Sequence, residues 1–361
     1  MNPFKFGTIV QDDFFTDRIM ELSLVKEKLN SENHLVLISP RRFGKSSLIQ
    51  KALSQIGRPS ITIDMMNVLS VEGFASLLLR EIFKLYKVEK IKHLMSHFRF
   101  VPTISSNPLS DAIDVSFQPS VNSAIALEDA MDLLQKVTSP EKRLIVVLDE
   151  FQEVNEIQKG FDRQLRALMQ KQKGLNYVFL GSQESMMNEI FEKKKSPFYH
   201  FGQRMTLSKI PYEDFFSFIE CRLLDKPNAT AAEIKRNKDV TVTQILSFTR
   251  VHPYYSQQLA SAVYDLQCYH SVFDDVVSQA IEILVQSHDL DYERLWMYLN
   301  RTDRKVMQTL AQQFKPLAGK ETPTSTVYSA LQRLIKRGFV IKTEEYEIED
   351  PFFRQWILRT K

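Results

Sequence analysis

His34-Leu35-Val36-Leu37-Ile38-Ser39-Pro40-Arg41-Arg42-Phe43-Gly44-Lys45-Ser46-Ser47-Leu48 decides the fold. His34 to Ile38 reads as a strand, because a short apolar run of this kind is what a parallel sheet buries on both faces. A loop follows from Ser39 to Lys45, and the spacing predicts a helix from about Ser46. Leu48, Ile49, Ala52, Leu53 and Ile56 fall on one helical stripe, and Gly57 is a natural stop. Ser60-Ile61-Thr62-Ile63-Asp64 then reads as a second strand, which makes a βαβ beginning.

A strand, a loop and Gly-Lys-Ser at the mouth of a helix are what phosphate binding demands. The helix N-terminus offers unpaired N–H groups and the positive end of its dipole to phosphate oxygens. Pro40, Arg41, Arg42, Phe43, Gly44, Lys45, Ser46 and Ser47 form the candidate loop. Gly44 lets the backbone approach closely, Lys45 supplies a point charge for the outer phosphates, and the Ser46 hydroxyl is placed for Mg2+. In the full pattern GxxxxGK[ST] the first glycine is here Ser39, at the turn out of the strand rather than in the phosphate nest.

About a hundred residues on, Leu144-Ile145-Val146-Val147-Leu148 is a second buried-strand pattern, ending in Asp149-Glu150. An aspartate at the carboxyl end of such a strand suits Mg2+, and the glutamate beside it suits a general base for an attacking water. The acid pair, together with the absence of an NKxD motif, points to ATP rather than GTP. Tyr177-Val178-Phe179-Leu180 is a third strand pattern, ending at Gly181-Ser182. Ser182 reads equally as a sensor of the γ-phosphate or as an N-cap for the helical stretch at Gln183-Glu184. Arg204, after Phe201-Gly202-Gln203, reads either as an arginine finger or as a solvated or packing arginine.

Between these motifs the pattern predicts helices over 72–87, 127–138 and 161–172. Residues 99–123, with Pro102, Pro108 and Pro119, read as an irregular insertion with a hairpin through Ile113 to Phe117. Strand runs stop after about residue 205 and helical pattern fills 212–290. From Trp296 the order is helix (302–313), helix (324–337), then a hairpin through Phe339 to Lys342 and Tyr346 to Ile348, the order of a winged helix-turn-helix. The expected fold class is α/β, a P-loop nucleotide-binding parallel sheet. Its expected division is a core over 1–208, a helical lid over 209–290 and a winged helix over 291–361.

Composition narrows the function classes. The 361 residues include only 10 glycines, against the usual ~7%, and no GxGxxG dinucleotide fingerprint occurs. Lys+Arg 47 against Asp+Glu 44 leaves +3, too balanced to imply nucleic acid by net charge. Cys221 and Cys268 have no CxxC spacing, which fits a reducing compartment rather than a disulfide framework. The N-terminus lacks the apolar region of a signal peptide, and no run approaches the ~20 residues that span a bilayer. The expected location is the cytoplasm, with no membrane partner.

Together these residues resemble the archaeal-type ATPase group within the STAND branch of AAA+-like P-loop ATPases. Phe4-Lys5-Phe6-Gly7 and Phe14-Phe15-Thr16-Asp17-Arg18 through Glu21 resemble the family's N-terminal box, which lines the adenine site. Thr249-Arg250-Val251-His252-Pro253-Tyr254-Tyr255 resembles its lid motif, and Ser325 to Gly338 with Asp350-Pro351-Phe352-Phe353 its C-terminal winged helix. The resemblance implies an ATP-dependent switch with slow or regulated hydrolysis, Mg2+, an unidentified protein client and nucleotide-dependent self-association. It carries Phe15, Arg18 and Pro253 into the nucleotide-binding set. The chain departs from the pattern at Thr16-Asp17 and Val251, where glycine is usual, and at Gln203, which intervenes before Arg204.

Alternatives of other classes stay open. A winged helix can bind DNA, here through Tyr328, Gln332, Arg333, Lys336 and Arg337, whereas Glu344, Glu345, Glu347, Glu349 and Asp350 in the wing would repel phosphates. A docking scaffold could bind ATP without turning it over. His93 and His97 have helical zinc spacing but no third ligand in view, and read as surface histidines.

Overall fold

A computed structural model describes the chain except residues 1, 11–13, 17, 87–90, 100–101, 108–111, 118–121, 140–142, 313–322 and 344. Asp17, Pro108, Pro119 and Glu344 thus lie outside the described residues. The chain groups into two compact units. One holds Arg18–Pro40 and Lys45–Leu207, and the other Met1–Asp17, Arg41–Gly44 and Ser208–Lys361.

The first unit is built on a parallel sheet of β1 (Leu35–Ile38), β2 (Ser60–Asp64), β5 (Leu144–Asp149), β6 (Leu175–Gly181) and β7 (Gln203–Thr206), in the order β2-β5-β6-β1-β7. Between β2 and β5 runs an antiparallel hairpin of β3 (Thr103–Asn107) and β4 (Ala112–Ser116), where the insertion was expected. β1 and β6 are buried along their whole length, and β5 as far as Leu148. Such strands have helices on both faces and no room for polar side chains except at their ends. Helices Lys45–Ile56, Val71–Leu85, Ser123–Lys136 and Phe161–Lys171 supply the cover.

β7 is not foreseen by the apolar pattern. Of Gln203-Arg204-Met205-Thr206 only Met205 is buried, because β7 is an edge strand paired with β1 alone. A cue lies just before it. A Cβ on Gly202 would stand 2.9 Å from Val36 Cγ2 and 3.2 Å from the His34 carbonyl oxygen, so glycine is what lets the chain close onto β1.

The aromatic content concentrates behind the acid pair. Phe151 is fully buried, with ring centroids 4.6 Å from Phe179 and 5.1 Å from Phe198. That cluster fixes the chain directly after Glu150. At the opposite ends of the strands, Asn176 is fully buried in β6 and all its hydrogen-bonding capacity is filled. Its amide donates to the Ser31 and Asn33 carbonyls at 2.9 and 3.0 Å. Its Oδ1 accepts from Arg58 at 2.7 Å and Arg143 at 3.1 Å.

The second unit is helical, with helices Tyr212–Glu220, Ala231–Thr249, Pro253–His270, Val276–Ser287, Asp289–Tyr298, Arg301–Ala311 and Thr324–Lys336. The hairpin β8 (Val340–Lys342) and β9 (Tyr346–Ile348) and helix Pro351–Thr360 close it. One hydrophobic cluster runs through residues on both sides of residue 290, and it includes Phe4. Phe4 packs edge-on against Phe218 and Tyr264, each 6.4 Å away, which explains why the N-terminal segment groups here. Asp303 is fully buried and takes Arg333 at 2.6 Å, with Arg337 at 3.9 Å, tying helix Arg301–Ala311 to helix Thr324–Lys336. No helix among the described residues is long and apolar enough to cross a membrane.

Replacing Asn176 with Ala leaves buried carbonyls and guanidinium groups unmatched at once. The expected loss is about 2–3 kcal/mol of stability, measured by urea unfolding of the full chain; a loss within experimental error would show that the network does not anchor the sheet.

Candidate functional site

All five strands run the same way, so the carboxyl ends of β1, β5 and β6 lie along one edge of the sheet, where open α/β sheets bind ligands. Ser39 continues β1, its N–H donating to the Gly181 carbonyl at 3.2 Å. Its φ is not in the left-handed region, so no glycine is needed there. The loop instead turns at Arg42 (φ 64°) and Gly44 (φ 88°). At Gly44 glycine takes that conformation without cost.

The buried Lys45 ammonium folds back on its own loop, donating to the carbonyls of Ser39 at 3.2 Å and Pro40 at 3.4 Å. The Ser46 hydroxyl donates to Asp149 Oδ2 at 2.8 Å. Asp149 Oδ1 accepts the Glu150 N–H at 2.9 Å. Burial pushes the Asp149 carboxyl above its ordinary range, against the Ser46 hydrogen bond and with the Glu150 charge adding to it. A hydroxyl and a carboxylate side by side are hard oxygen donors, and Mg2+ characteristically takes one or two protein oxygens and fills its shell with phosphate and water. Ser46 and Asp149 therefore fit the ion expected from the sequence.

Glu150 occupies the left-handed region (φ 50°), unusual for a non-glycine residue. Its Oε2 accepts the Ser182 hydroxyl and the amide of the fully buried Gln152, each at 2.5 Å. Ser182 does not serve as the N-cap that one of its two readings expected. The N-cap of helix Glu184–Phe191 is Gln183, without a side-chain cap, and Ser182 reaches across to the glutamate instead. Gln152 was missed as a member of this group, since only the fold shows that its amide turns back on Glu150. Arg204, on β7, pairs with Glu192 and, at 3.0 Å, with Glu184, an arrangement that agrees with its reading as a solvated or packing arginine.

Arg18 is buried, with φ 71°, and pairs with Glu21 at 2.7 Å in the sheet unit. Phe15 is half-buried, and Pro253 is the buried first residue of its helix, both in the helical unit. Arg41 is exposed and Ser47 half-buried.

The loop tip Arg41–Gly44 groups with the helical unit. There Phe43 packs edge-on against His252 at 5.0 Å, and Arg42 donates to the Tyr255 hydroxyl at 2.7 Å. Tyr255 in turn donates to Glu349 Oε2 at 2.6 Å. Among the described residues neither ring nitrogen of the buried His252 has a hydrogen-bond partner, Nε2 standing 3.7 Å from Glu349 Oε1. Burial, with Lys209 and Arg42 nearby, holds its pKa down at about 3. Burial pushes Glu349 up to about 7.

The chain matches the Walker-type ATPase PABY2304 of Pyrococcus abyssi at TM-score 0.65 and 16% identity, covering 99% of each chain. It matches the ADP form of the Aeropyrum pernix ORC2 protein at TM-score 0.53 and 13% identity, over 99% of this chain and 97% of that one. The Aeropyrum pernix ORC1 protein, solved with DNA, gives TM-score 0.51 and 12% identity over 97% and 94%. No protein-family model and no curated protein matches the sequence. At these identities the likeness concerns the fold: the chain has the α/β fold of the P-loop ATPases.

The raised pKa of Glu349 predicts a pH dependence of stability. A carboxyl held above its unfolded value binds its proton more tightly when folded, so its contribution is fully present below about 4.5 and lost as pH rises through about 7. Glu349→Gln, which mimics the protonated form, should match the wild-type melting temperature at low pH and exceed it above about 7. Parallel melting curves across that range would reject this assignment.

Proposed function

We propose that the chain binds ATP with Mg2+ and hydrolyses it slowly, the nucleotide state driving a conformational switch. The observation that carries the reading is the Ser46 hydroxyl 2.8 Å from Asp149. A P-loop serine and the acid of a distant strand share one spot beside a glutamate. Lys45 would leave the Ser39 and Pro40 carbonyls for the outer phosphates. Bound Mg2+ would neutralise charge on the phosphate oxygens, held by Ser46 and Asp149. Glu150 accepts the proton of the attacking water as the new P–O bond forms and the bond to the β-phosphate oxygen breaks, releasing ADP. Ser182 and Gln152 hold that carboxylate in place. Phosphoryl transfer needs positioning and charge stabilisation above all, so this short set suffices.

In this reading 209–290 form the lid and 291–361 a module that reports the nucleotide state to a protein client. The fold shared with a Walker-type ATPase and with a protein solved in its ADP form supports nucleotide as ligand. The DNA reading has less support. Arg333 and Arg337 are paired with the buried Asp303, and in the wing Glu347 takes Lys209 at 3.2 Å while Glu349 takes Tyr255, so these groups already have partners within the unit.

Two substitutions test the proposal. Lys45→Ala should weaken ATP binding by at least about tenfold, read by calorimetry; unchanged affinity would remove the site. Glu150→Gln should leave binding intact and lower phosphate release by about 10²–10⁴-fold, and an equal rate would take the base role from Glu150.

A further inference from the structure

We propose that Tyr255 and Glu349 form a latch holding the phosphate-binding loop by Arg42, and that nucleotide phosphates compete with this latch for the same guanidinium. The inference rests on the ATP site proposed above and adds a means of regulating it.

The contacts all lie within the helical unit, to which Arg41–Gly44 belong. Arg42 donates to the Tyr255 hydroxyl at 2.7 Å, and its guanidinium stands 4.5 Å from the centre of the Tyr254 ring. Tyr255 passes a hydrogen bond on to Glu349 at 2.6 Å, one residue beyond β9. A cation, a hydroxyl and a largely buried carboxylate thus run in series from the loop to the end of the C-terminal hairpin. Phe43, the next loop residue, is buried against His252 from the segment that carries Tyr255.

The geometry also shows tension. Arg42 has φ 64°, and opposite it Arg250 and Val251 have φ 52° and 58° immediately before His252. A β-branched residue in the left-handed region is a genuine outlier, sustained only where surrounding contacts over-determine it. The buried His252 imidazole, without a hydrogen-bond partner among the described residues, adds a second cost at the same place. The segment is therefore held in a strained state by the contacts that also hold the loop.

The chemistry favours exchange. In the latch Arg42 gives one hydrogen bond to a neutral hydroxyl and rests on aromatic faces. A phosphate offers the same fork two anionic oxygens, the geometry that guanidinium recognises best. Phosphate can therefore displace Tyr255, but the latch lowers apparent affinity by the fraction of molecules in which it is closed. Arg42 is solvent-exposed overall, which keeps the effect to several-fold. When Arg42 leaves, Tyr255 and Glu349 lose their cation, and the hairpin registers that the loop is occupied.

The test is an equilibrium titration of the full chain with a fluorescent N-methylanthraniloyl ATP and Mg2+. Tyr255→Phe keeps the ring and removes both hydrogen bonds; it should tighten binding by about 3–10-fold, the scale of one net hydrogen bond. Glu349→Ala, which removes the acceptor of the Tyr255 hydroxyl, should shift affinity the same way, and serves if Tyr255→Phe proves unstable. In an Arg42→Ala background, Tyr255→Phe should have no further effect, an outcome that a merely structural role for Tyr255 would not give. Wild-type or weaker affinity in both single variants would overturn the latch. Retained binding in Lys45→Ala would instead overturn the site itself, so the two failures are distinct.

Discussion

The hydrogen bond between Ser46 and Asp149 links residues 103 positions apart in the chain, and the sheet exists in the form that makes it. β6 separates β1 from β5, yet all three run parallel, so the loop, the acid pair and Ser182 leave the sheet at the same edge. Because the central strands are buried on both faces, polar chemistry is confined to their ends. One end carries Ser46, Asp149, Glu150 and Ser182. The other carries Asn176 with Arg58 and Arg143, which fixes the chain entering β1. Between the two, the Phe151, Phe179 and Phe198 rings hold Glu150 from behind.

Several charges of the helical unit are paired within it. The acidic wing and the basic helix beside it look on paper like opposed surfaces, one repelling and one attracting nucleic acid. In the fold Asp303 neutralises the Arg333 side chain, and Glu347 takes Lys209 and Arg250. Glu349 answers Tyr255 and, through it, Arg42. Two carboxylates of the hairpin segment, Glu347 and Glu349, thus connect it to its own unit, Glu349 reaching Arg42 through Tyr255.

The strands that the sequence reveals most plainly are those whose surroundings are apolar on every side. β1, β5 and β6 show as hydrophobic runs within a few residues of their observed limits, whereas β2, at the other edge, shows by the alternation of buried Ile61 and Ile63 with exposed Thr62 and Asp64. β7 does not show, since an edge strand with one buried side chain carries no such pattern and exists only through β1. The same distinction divides the site. Gly44, Lys45, Ser46, Asp149 and Glu150 are legible because their types and order follow from phosphate and metal chemistry. Gln152 is silent in sequence, and Arg204 stays ambiguous there, because a glutamine amide or a guanidinium acquires its role only from what faces it.

Glycine scarcity illustrates both sides. Ser39 stands where the common pattern has glycine and needs none, since its φ stays out of the left-handed region. Val251 stands where the family pattern has glycine and does adopt the left-handed conformation, at φ 58°. The sequence by itself determined that a parallel sheet carries Gly-Lys-Ser at the mouth of a helix and an acid pair at a strand end, because periodicity and local chemistry act over a few residues. Only the tertiary structure decided which charges are paired, which serine reaches the glutamate and what holds Arg42. Those contacts join residues from distant parts of the chain, and no local pattern encodes a distance between them.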